Sequence, residues 1–331
     1  MVLVYCNEDR EVMFIISLDF ELLWGVHDSA SDSYKSNLLQ VHQIVPDLLA
    51  LFSQNNIACT WATVGALGCK NYEDFYASSP QNGPGYTNTH YSPYQQRVAE
   101  QDPELVFAPG LVDMITKSPR QELASHTFCH YYCLEKGQTL HQFGLDLEAN
   151  QAVASRFDVE LKSIVFPRNQ VNTDYLKKCK ENGVYIYRGN PTHWAYNADN
   201  YEGQSLVKRA FRLIDSYLPL SGSLAQEVSK DHESGVLNIP ASLFFRPYSK
   251  KLSILEPLKI MRIKWSMKQA AKKGKLFHLW WHPHNFGASQ KENMAQLADI
   301  INYQKRLHQR YGFASITMQE AAEKFMETSN G

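Results

Sequence analysis

The sequence has no long apolar run and no excess of charge of either sign. None of its apolar segments approaches the ~20 residues that a membrane-spanning helix needs. Lys and Arg number 33 and Asp and Glu number 34, so the formal net charge is -1. A chain this close to neutrality has no global field that would attract nucleic acid or an anionic membrane. We therefore expect no integral membrane segment and no nucleic-acid partner.

The signs of a secreted, disulfide-bonded protein are also missing. Residues 1–20 contain no basic region followed by an apolar stretch and a small-residue cleavage site, so we predict no signal peptide. The cysteines are dilute in a chain of 331 residues, and most have apolar neighbours: Cys6, Cys59, Cys69, Cys129, Cys133 and Cys179. This pattern favours reduced thiols and a cytoplasmic location.

No internal repeat, low-complexity segment or clear linker divides the chain, so we expect a single domain over residues 1–331. Apolar segments of strand length alternate with segments that have apolar residues at helical spacing. We predict strands at 14–20, 57–68, 122–128, 162–167, 184–189, 236–245, within 272–286 and at 313–317. The predicted helices are 37–56, 139–157, 172–183, 293–312 and 318–326.

Continuous apolar strands are typical of parallel sheets that are covered on both faces. Seven or eight of them in a chain of this length favour a distorted α/β barrel, with an open doubly wound sheet as the alternative. No G-x-G-x-x-G follows the first strand, which argues against dinucleotide binding. The tyrosine-rich stretch 69–108 reads as a long loop, which either walls a cleft and stacks on a sugar or is an ordinary packed loop.

Barrel enzymes carry their chemistry at the carboxyl ends of the strands, so polar residues there are candidates. The first strand ends in SLDFE, where Asp19 and Glu21 project to one face of an extended backbone. Two neighbouring carboxylates need a cation or a shared proton. The alternative is two strand-end acids that are solvated or paired separately with Lys or Arg.

The run ELASHTFCHYYC, residues 122–133, places His126 and His130 four residues apart, a spacing that lets two imidazoles share a metal ion. The alternative is a pair of buried, hydrogen-bonded and inert histidines. A Cys2His2 zinc site that also uses Cys129 and Cys133 is disfavoured, because the two pairs interleave and would point to different faces. We expect both cysteines to lie in the core or behind the metal ligands.

Two more predicted strands end in basic residues. His282 and His284 follow LFHLWW, where a histidine tuned by burial is suited to act as a general acid. The alternative for either histidine, and our expectation for His278, is a core side chain bonded to backbone. Arg168 follows Pro167 at another strand end, where it either holds a carboxylate bidentately or forms a surface ion pair.

Taken together, these segments resemble the polysaccharide deacetylase family, the NodB-homology or carbohydrate esterase family 4 group. SLDFE stands where typical members have Thr-Phe-Asp-Asp-Gly, HTFCH (126–130) matches the family's histidine motif, and FPRN (166–169) matches its Arg-and-Pro strand end in part. LWWHPH (279–284) fits the last motif, and ACTWATVGALG resembles the family's second strand. The resemblance covers most of the chain, in the family's order.

The resemblance implies a distorted barrel of seven to eight parallel strands and a divalent metal, commonly zinc. It places the catalytic base at Asp19 and puts Phe20 where the family has a metal-binding Asp, so Glu21 takes that role beside His126 and His130. Arg168 would orient Asp19, and His282 would protonate the departing amine. We assign substrate contacts to Trp24, His284 and Trp194.

The activity implied is hydrolysis of an N-acetyl group on a sugar or glycan precursor, as in surface-polysaccharide assembly. One alternative is hydrolysis of another non-peptide C–N bond, such as a cyclic amide, without metal. Another is an inactive carbohydrate-binding homologue, which Phe20 makes plausible.

Overall fold

The computed structural model describes residues 12–81, 83–197, 199, 203 and 205–329. In this part of the chain ten strands form one sheet. They are β1 (Met13–Phe20), β2 (Cys59–Thr63), β3 (Gln121–Ser125), β4 (Ser163–Ile164), β5 (Ile186–Tyr187), β6 (Ser229–Lys230), β7 (Leu237–Asn238), β8 (Leu243–Phe244), β9 (Phe277–Trp281) and β10 (Ala314–Ser315). Every pairing between them is parallel except that of β6 with β7.

The α-helices of the described residues lie mostly between the strands. They are α1 (Lys35–Leu39), α2 (Val41–Asn55), α3 (Tyr72–Ser78), α4 (Pro103–Val106), α5 (Pro109–Lys117), α6 (Leu140–Ala154), α7 (Thr173–Glu181), α8 (Leu206–Asp215), α9 (Glu256–Lys272), α10 (Gln290–Tyr311) and α11 (Met318–Ser329). Several helices pack against one another: α2 contacts α5 and α10, α6 contacts α7, and α9 contacts α10.

The segment that contains β7 and β8 closes the sheet into a ring. On one side, the backbone amides of Leu237, Ile239 and Ala241 donate to carbonyls of residues 185, 187 and 189. On the other, the amides of Ser242 and Phe245 donate to carbonyls of residues 278 and 280. The ring is therefore β1–β2–β3–β4–β5–β7/β8–β9, and it confirms the predicted distorted α/β barrel of seven to eight strands.

Side chains alternate strictly along β1. Phe14, Ile16, Leu18 and Phe20 belong to the large apolar cluster shared with α2 and α10, whereas Ile15 belongs to a second cluster with Ala62, Ala124, Val165, Ile186 and Ile239. Successive side chains of a strand point to opposite faces, so this second cluster fills the barrel interior. Ser17 and Asp19 share the face of Ile15 and continue the interior towards the carboxyl ends of the strands.

Most predicted elements are present with shifted ends. The predicted strand 236–245 is interrupted at Pro240, which has no N–H to donate, so it appears as two short strands. The predicted helix 37–56 is split into α1 and α2 and ends at Asn56 in the left-handed conformation, with φ 54°. Asn172 caps α7, because its side chain accepts from the amide of Asp174.

Five α-helices of the described residues were not predicted, namely α3, α4, α5, α8 and α9. The reason is clearest in α9, whose buried face carries Glu256, Lys259 and Arg262. Charged residues at buried positions break the apolar periodicity on which the prediction depends. The stretch 69–108 contains α3, α4 and single turns, so it is less irregular than predicted.

Cys59, Cys69, Cys129, Cys133 and Cys179 are free and buried, as the sequence suggested, whereas Cys6 lies outside the described residues. No helix among the described residues is both long enough and apolar enough to span a bilayer. The assignment of residues 1–331 to a single domain stays a prediction.

Candidate active site

The carboxyl end of β1 brings two acids into the barrel mouth. Asp19 and Glu21 are each 3% exposed. Phe20 between them points to the opposite face and packs edge-on against Trp61, with ring centroids 6.3 Å apart. The residue at the family's metal-binding Asp position is therefore part of the outer core. The acids nevertheless converge: His282 Nε2 lies 3.7 Å from Asp19 Oδ2 and 3.6 Å from Glu21 Oε1.

Arg188 holds Asp19 in a bidentate ion pair. Its Nη1 donates to Asp19 Oδ1 at 2.7 Å and its Nη2 donates to Oδ2 at 2.9 Å. Burial disfavours ionisation of Asp19, but the adjacent guanidinium outweighs it, so the pKa of Asp19 lies below its usual value. Arg188 is fully buried, and it also donates to Ser17 Oγ and Asn169 Oδ1. Asp19 is thus a fixed carboxylate.

Arg168 does not orient Asp19 as predicted, because Arg188 occupies that position. Arg168 binds Asp28, and its guanidinium lies over the rings of Tyr132 and Tyr91, at 4.1 and 5.5 Å from their centroids. Arg168 has φ 55°, and this left-handed backbone follows the break at Pro167. A catalytic role for Arg168 stays a prediction, since it lines the cleft beside His282.

Glu21 lies just beyond β1, at the start of a single helical turn, Leu22–Gly25. Its carboxylate occupies the space above Gly25, where an added Cβ would lie 2.0 Å from Glu21 Cδ. Only glycine leaves room for this side chain. Burial disfavours the charge of Glu21, but the surrounding histidines outweigh it and hold its pKa well below the usual value.

His126 and His130 come from the turn after β3. Asp146 of α6 organises that turn, because its carboxylate accepts from the backbone amides of Phe128 and Cys129 at 2.6 and 3.2 Å. It also accepts from the Cys129 thiol. Cys129 and Cys133 belong to the core, as expected, and neither joins the histidines. His130 has φ 60°, and this left-handed conformation turns its ring back towards His126.

The donor atoms of Glu21, His126 and His130 are spaced as a metal site requires. Glu21 Oε2 lies 3.3 Å from His126 Nε2 and 3.1 Å from His130 Nε2. Zinc bonds of about 2.0–2.2 Å at tetrahedral angles separate neighbouring ligand atoms by roughly 3.3 Å. These three residues are fully buried and fit a divalent cation.

The tautomer of His126 also favours a cation between these three residues. Its Nδ1 lies 2.7 Å from the carbonyl oxygen of Val165, which can only accept, so Nδ1 carries the proton. In the neutral ring, Nε2 then presents a lone pair to the Glu21 carboxylate. Two electron-rich atoms at 3.3 Å repel each other unless a cation or a proton lies between them. A backbone carbonyl bound to the second ring nitrogen is typical of metal-bound histidine.

His282 and His284 complete the cluster from the turn after β9. His282 is partly exposed, and its Nδ1 lies 3.3 Å from Asn285 Oδ1. His284 is buried, stacks on His282 with centroids 5.1 Å apart, and lies 4.0 Å from Glu21 Oε1 through its Nε2. Burial lowers the pKa of His284 to about 3, and that of His130 to about 4. Glu21, His282 and His284 form a second possible metal-binding group.

Two of the predicted substrate contacts lie elsewhere. Trp24 is fully buried, donates from Nε1 to the carbonyl of Val106 and packs on Phe75. It has no surface to offer a substrate, which corrects that prediction. Trp194 is 48% exposed and packs on Phe211, in the same turn as Tyr196, which does line the cleft. A substrate contact for Trp194 or His284 stays a prediction.

An open cleft adjoins His282. Its floor is aromatic, with Phe244 and Trp280 in tilted contact at 4.7 Å. The rest of its lining mixes apolar side chains with amide, hydroxyl and guanidinium groups. The apolar ones are Pro191, Ala241 and Leu243, and the polar ones include Asn169, Asn190, Asn197, Ser242, Arg212 and Arg246. The cluster of acids and histidines therefore has access to a ligand through His282.

Sequence reasoning missed Arg188 and Gly25. A signal for Arg188 existed, since it follows Ile186 by two residues and so continues the interior face of β5 to the strand end. Nothing in the sequence marks Gly25, because its role depends on where the Glu21 side chain folds back.

No protein-family model matches this chain, and no curated protein sequence is detectably similar. Solved structures do match. Two are assigned provisionally as polysaccharide deacetylases: one from Mycobacterium smegmatis, at TM-score 0.61 and 12% identity, and one from Pseudomonas aeruginosa PAO1, at 0.57 and 11%. Each match covers 98% of this chain, and respectively 94% and 93% of the other.

The PuuE allantoinase matches at TM-score 0.58 and 10% identity, over 98% of this chain and 93% of that one. Similarity at such low identity concerns the backbone arrangement, which these proteins share from end to end. The chain has the NodB-like fold of the polysaccharide deacetylases.

Proposed function

We propose that the protein hydrolyses an N-acetyl group on a sugar or glycan precursor with the help of a divalent cation. The observation that carries the proposal is the meeting of a metal-type cluster, an Arg-held carboxylate and a partly exposed histidine at the mouth of one barrel. Two imidazoles and a carboxylate are a ligand set that catalytic zinc uses, so zinc is the proposed metal.

Glu21, His126 and His130 would hold the cation. When bound, it supplies Lewis-acid polarisation of the acyl carbonyl and lowers the pKa of a water molecule. Asp19, ionised and fixed by Arg188, takes a proton from the attacking water as the C–O bond forms. The C–N bond breaks, and His282 delivers a proton from Nε2 to the departing amine nitrogen, while Asn285 orients its ring. The products are acetate and the free amine.

The experiment measures bound metal and acetate release together. The purified protein is loaded in turn with zinc, cobalt and manganese, and acetate is assayed with N-acetylhexosamine oligomers. We expect turnover that requires metal and is lost in His126→Ala. His141→Ala on the exposed face of α6 is the matched control and keeps activity. Failure to release acetate with any metal, with every variant equally inactive, would contradict the proposal.

A second candidate is hydrolysis of another C–N bond, such as that of a cyclic amide, without metal. Phe20 at the family's metal-binding position and the structural similarity to an allantoinase favour it. It predicts full activity with cyclic amides after treatment with a chelator. A cytoplasmic location and a part in surface-polysaccharide assembly stay predictions.

A further inference from the structure

The cleft beside His282 is strongly basic. Three arginines contribute to its lining, Arg168, Arg212 and Arg246, and among the described residues no aspartate or glutamate does. Arg168 is paired with Asp28. The guanidinium groups of Arg212 and Arg246 line the same cleft, whose remaining polar groups are amides, hydroxyls and the His282 imidazole.

Arg246 is the cation with the least compensation. Within the described part of the chain its side chain forms no hydrogen bond and no ion pair, and its Cζ lies 6.0 Å from the centroid of the Phe244 ring. Burial, and to a smaller extent the nearby Arg212 charge, lowers the pKa of Arg246, because both disfavour its positive charge. Arginine keeps its proton, so the cost remains until an anion offsets it.

Two acids of this region already have partners: Asp199, whose charge acts on Arg212, is paired with Lys208, and Asp215 is bound within the core. Asp215, at the end of α8, is fully buried and accepts from Tyr196 Oη at 2.7 Å and from the amide and hydroxyl of Ser221. It also lies 3.6 Å from Arg262 of α9. Arg212 sits one turn earlier on α8, where it donates to the carbonyl of Ala195 and faces the cleft.

The backbone around Arg246 is fixed, so its guanidinium is a built feature of the cleft. Lys259, buried in α9, donates to the carbonyls of residues 246 and 247 at 3.0 and 3.3 Å. Phe245 points the other way into the core, against Trp281 and Phe286. Phe244 and Arg246 therefore project together into the cleft, as alternation along an extended segment requires.

The distance to the reaction centre suits one sugar unit. The centroid of the Phe244 ring lies 5.8 Å from that of the His282 ring and 6.0 Å from Arg246 Cζ. His282, the group proposed to protonate the amine, and the cation Arg246 therefore neighbour the same aromatic ring. Aromatic faces stack on sugar rings, and guanidinium groups bind phosphate and carboxylate oxygens in pairs.

We propose that the substrate is an anionic N-acyl sugar, whose phosphate or carboxylate binds Arg246 and Arg212 while its acyl group reaches the Glu21 cluster. This inference rests on the proposed function for the position of the acyl group. The binding of the anion does not depend on turnover, so the two ideas can fail separately.

The test measures binding to the metal-loaded protein by titration calorimetry. The ligands are N-acetylglucosamine 1-phosphate, the 6-carboxylate of methyl N-acetylglucosaminide, neutral methyl N-acetylglucosaminide and inorganic phosphate. We expect at least one anionic sugar to bind about tenfold or more tightly than the neutral one, with affinity falling as salt rises. The two anionic arms separate a phosphate from a carboxylate.

Arg246→Gln should abolish the preference for the anionic sugar and change the neutral sugar's affinity less than about threefold. Arg246→Lys keeps the charge but loses the paired donors, so its preference for the anionic sugar should lie between those of the parent and of Arg246→Gln. Arg310→Gln on the exposed end of α10 removes the same charge elsewhere and is the matched control. Thermal melts of each variant check folding, and Arg212→Gln provides a second test of the same site.

Equal binding of neutral and anionic sugars, or an anionic preference that survives Arg246→Gln, would overturn the inference. Acetate release from neutral sugars alone would overturn it and leave the proposed function standing. If anions bind in an arginine-dependent way but no metal gives acetate release, the proposed function is overturned and the inference about anion binding stands.

Discussion

Asp19 and Glu21 are two residues apart and equally buried, yet their surroundings differ in kind. Asp19 lies against a buried guanidinium, and its charge is balanced within the protein. Glu21 faces three imidazole nitrogens at 3.1–3.6 Å, and no Lys or Arg of the described residues forms an ion pair with it. Burying a carboxylate costs free energy unless it is paired. The charge of Asp19 is already neutralised by Arg188, whereas the surroundings of Glu21 favour the binding of an added cation.

Breaking the ion pair between Asp19 and Arg188 should have the largest effect, and this effect is on stability. Arg188→Ala leaves the Asp19 carboxylate buried without its partner, so we expect the free energy of unfolding to fall by about 3–5 kcal/mol. Urea denaturation measures it. Asp19→Asn combined with Arg188→Ala removes both charges and should recover part of the loss. A fall below about 1 kcal/mol in the single variant would show that the pair is not needed for stability.

Removing the charge of Glu21 should weaken metal binding. Glu21→Gln removes the only anionic ligand of the cluster, so zinc affinity should fall by more than the ~100-fold that loss of an outer-shell partner costs. Competition with a chromogenic chelator gives the affinity. Asp19→Asn, two residues away, is the matched control and should bind zinc within a few-fold of the parent. Similar losses in both variants would mean that the two acids act as one site.

His278, which lies close to Arg188 and Asp19, should make the stability of the protein depend on pH. His278 is fully buried, and its Nε2 lies 2.8 Å from Ser17 Oγ. Burial, together with the nearby Arg188 charge, lowers the pKa of His278 to about 3. Between pH 6.5 and 3 the unfolded chain therefore binds a proton at this residue that the folded protein does not, so stability is lost as the pH falls below 6.5.

His278→Gln removes that contribution. Between pH 7 and pH 5 the parent should lose on the order of 2 kcal/mol more of its free energy of unfolding than the variant does. Urea denaturation of both proteins at the two pH values gives the difference. Parallel pH profiles would contradict the assignment of a neutral, buried His278.

The smallest effect is expected at Gly25. A methyl group there displaces the Glu21 carboxylate, so Gly25→Ala should cost about 1–2 kcal/mol of stability and weaken zinc binding about tenfold. Gly110→Ala in α5, where an added Cβ meets nothing within 4 Å, should instead be neutral or stabilising by up to about 1 kcal/mol. Unchanged zinc affinity in Gly25→Ala would show that Glu21 has other positions from which to bind.

The candidate site was predictable where it follows strand ends. Asp19, His126 and His282 each lie near the carboxyl end of a predicted apolar strand, and parallel strands bring these ends together. Arg168 was placed at the right edge but given the wrong partner. Its left-handed backbone turns it towards Asp28, and no sequence pattern shows which of several strand-end arginines reaches a given acid.

The cleft was not predictable for a related reason. Arg246 lies two residues beyond β8 and Arg212 on a helix that was not predicted, and they meet only because the segment around β7 and β8 crosses between β5 and β9. Contacts of this kind join residues that are far apart in the sequence, which local patterns do not encode.

The sequence by itself determined the alternation of strands and helices, the barrel class and the set of polar residues at its mouth, because side-chain periodicity and strand direction are local properties. Only the tertiary structure decided that Arg188 neutralises Asp19, that Gly25 makes room for Glu21 and that Arg246 is left unpaired over the cleft. Charge compensation inside a protein depends on distances of a few ångströms between distant segments, and packing alone sets those distances.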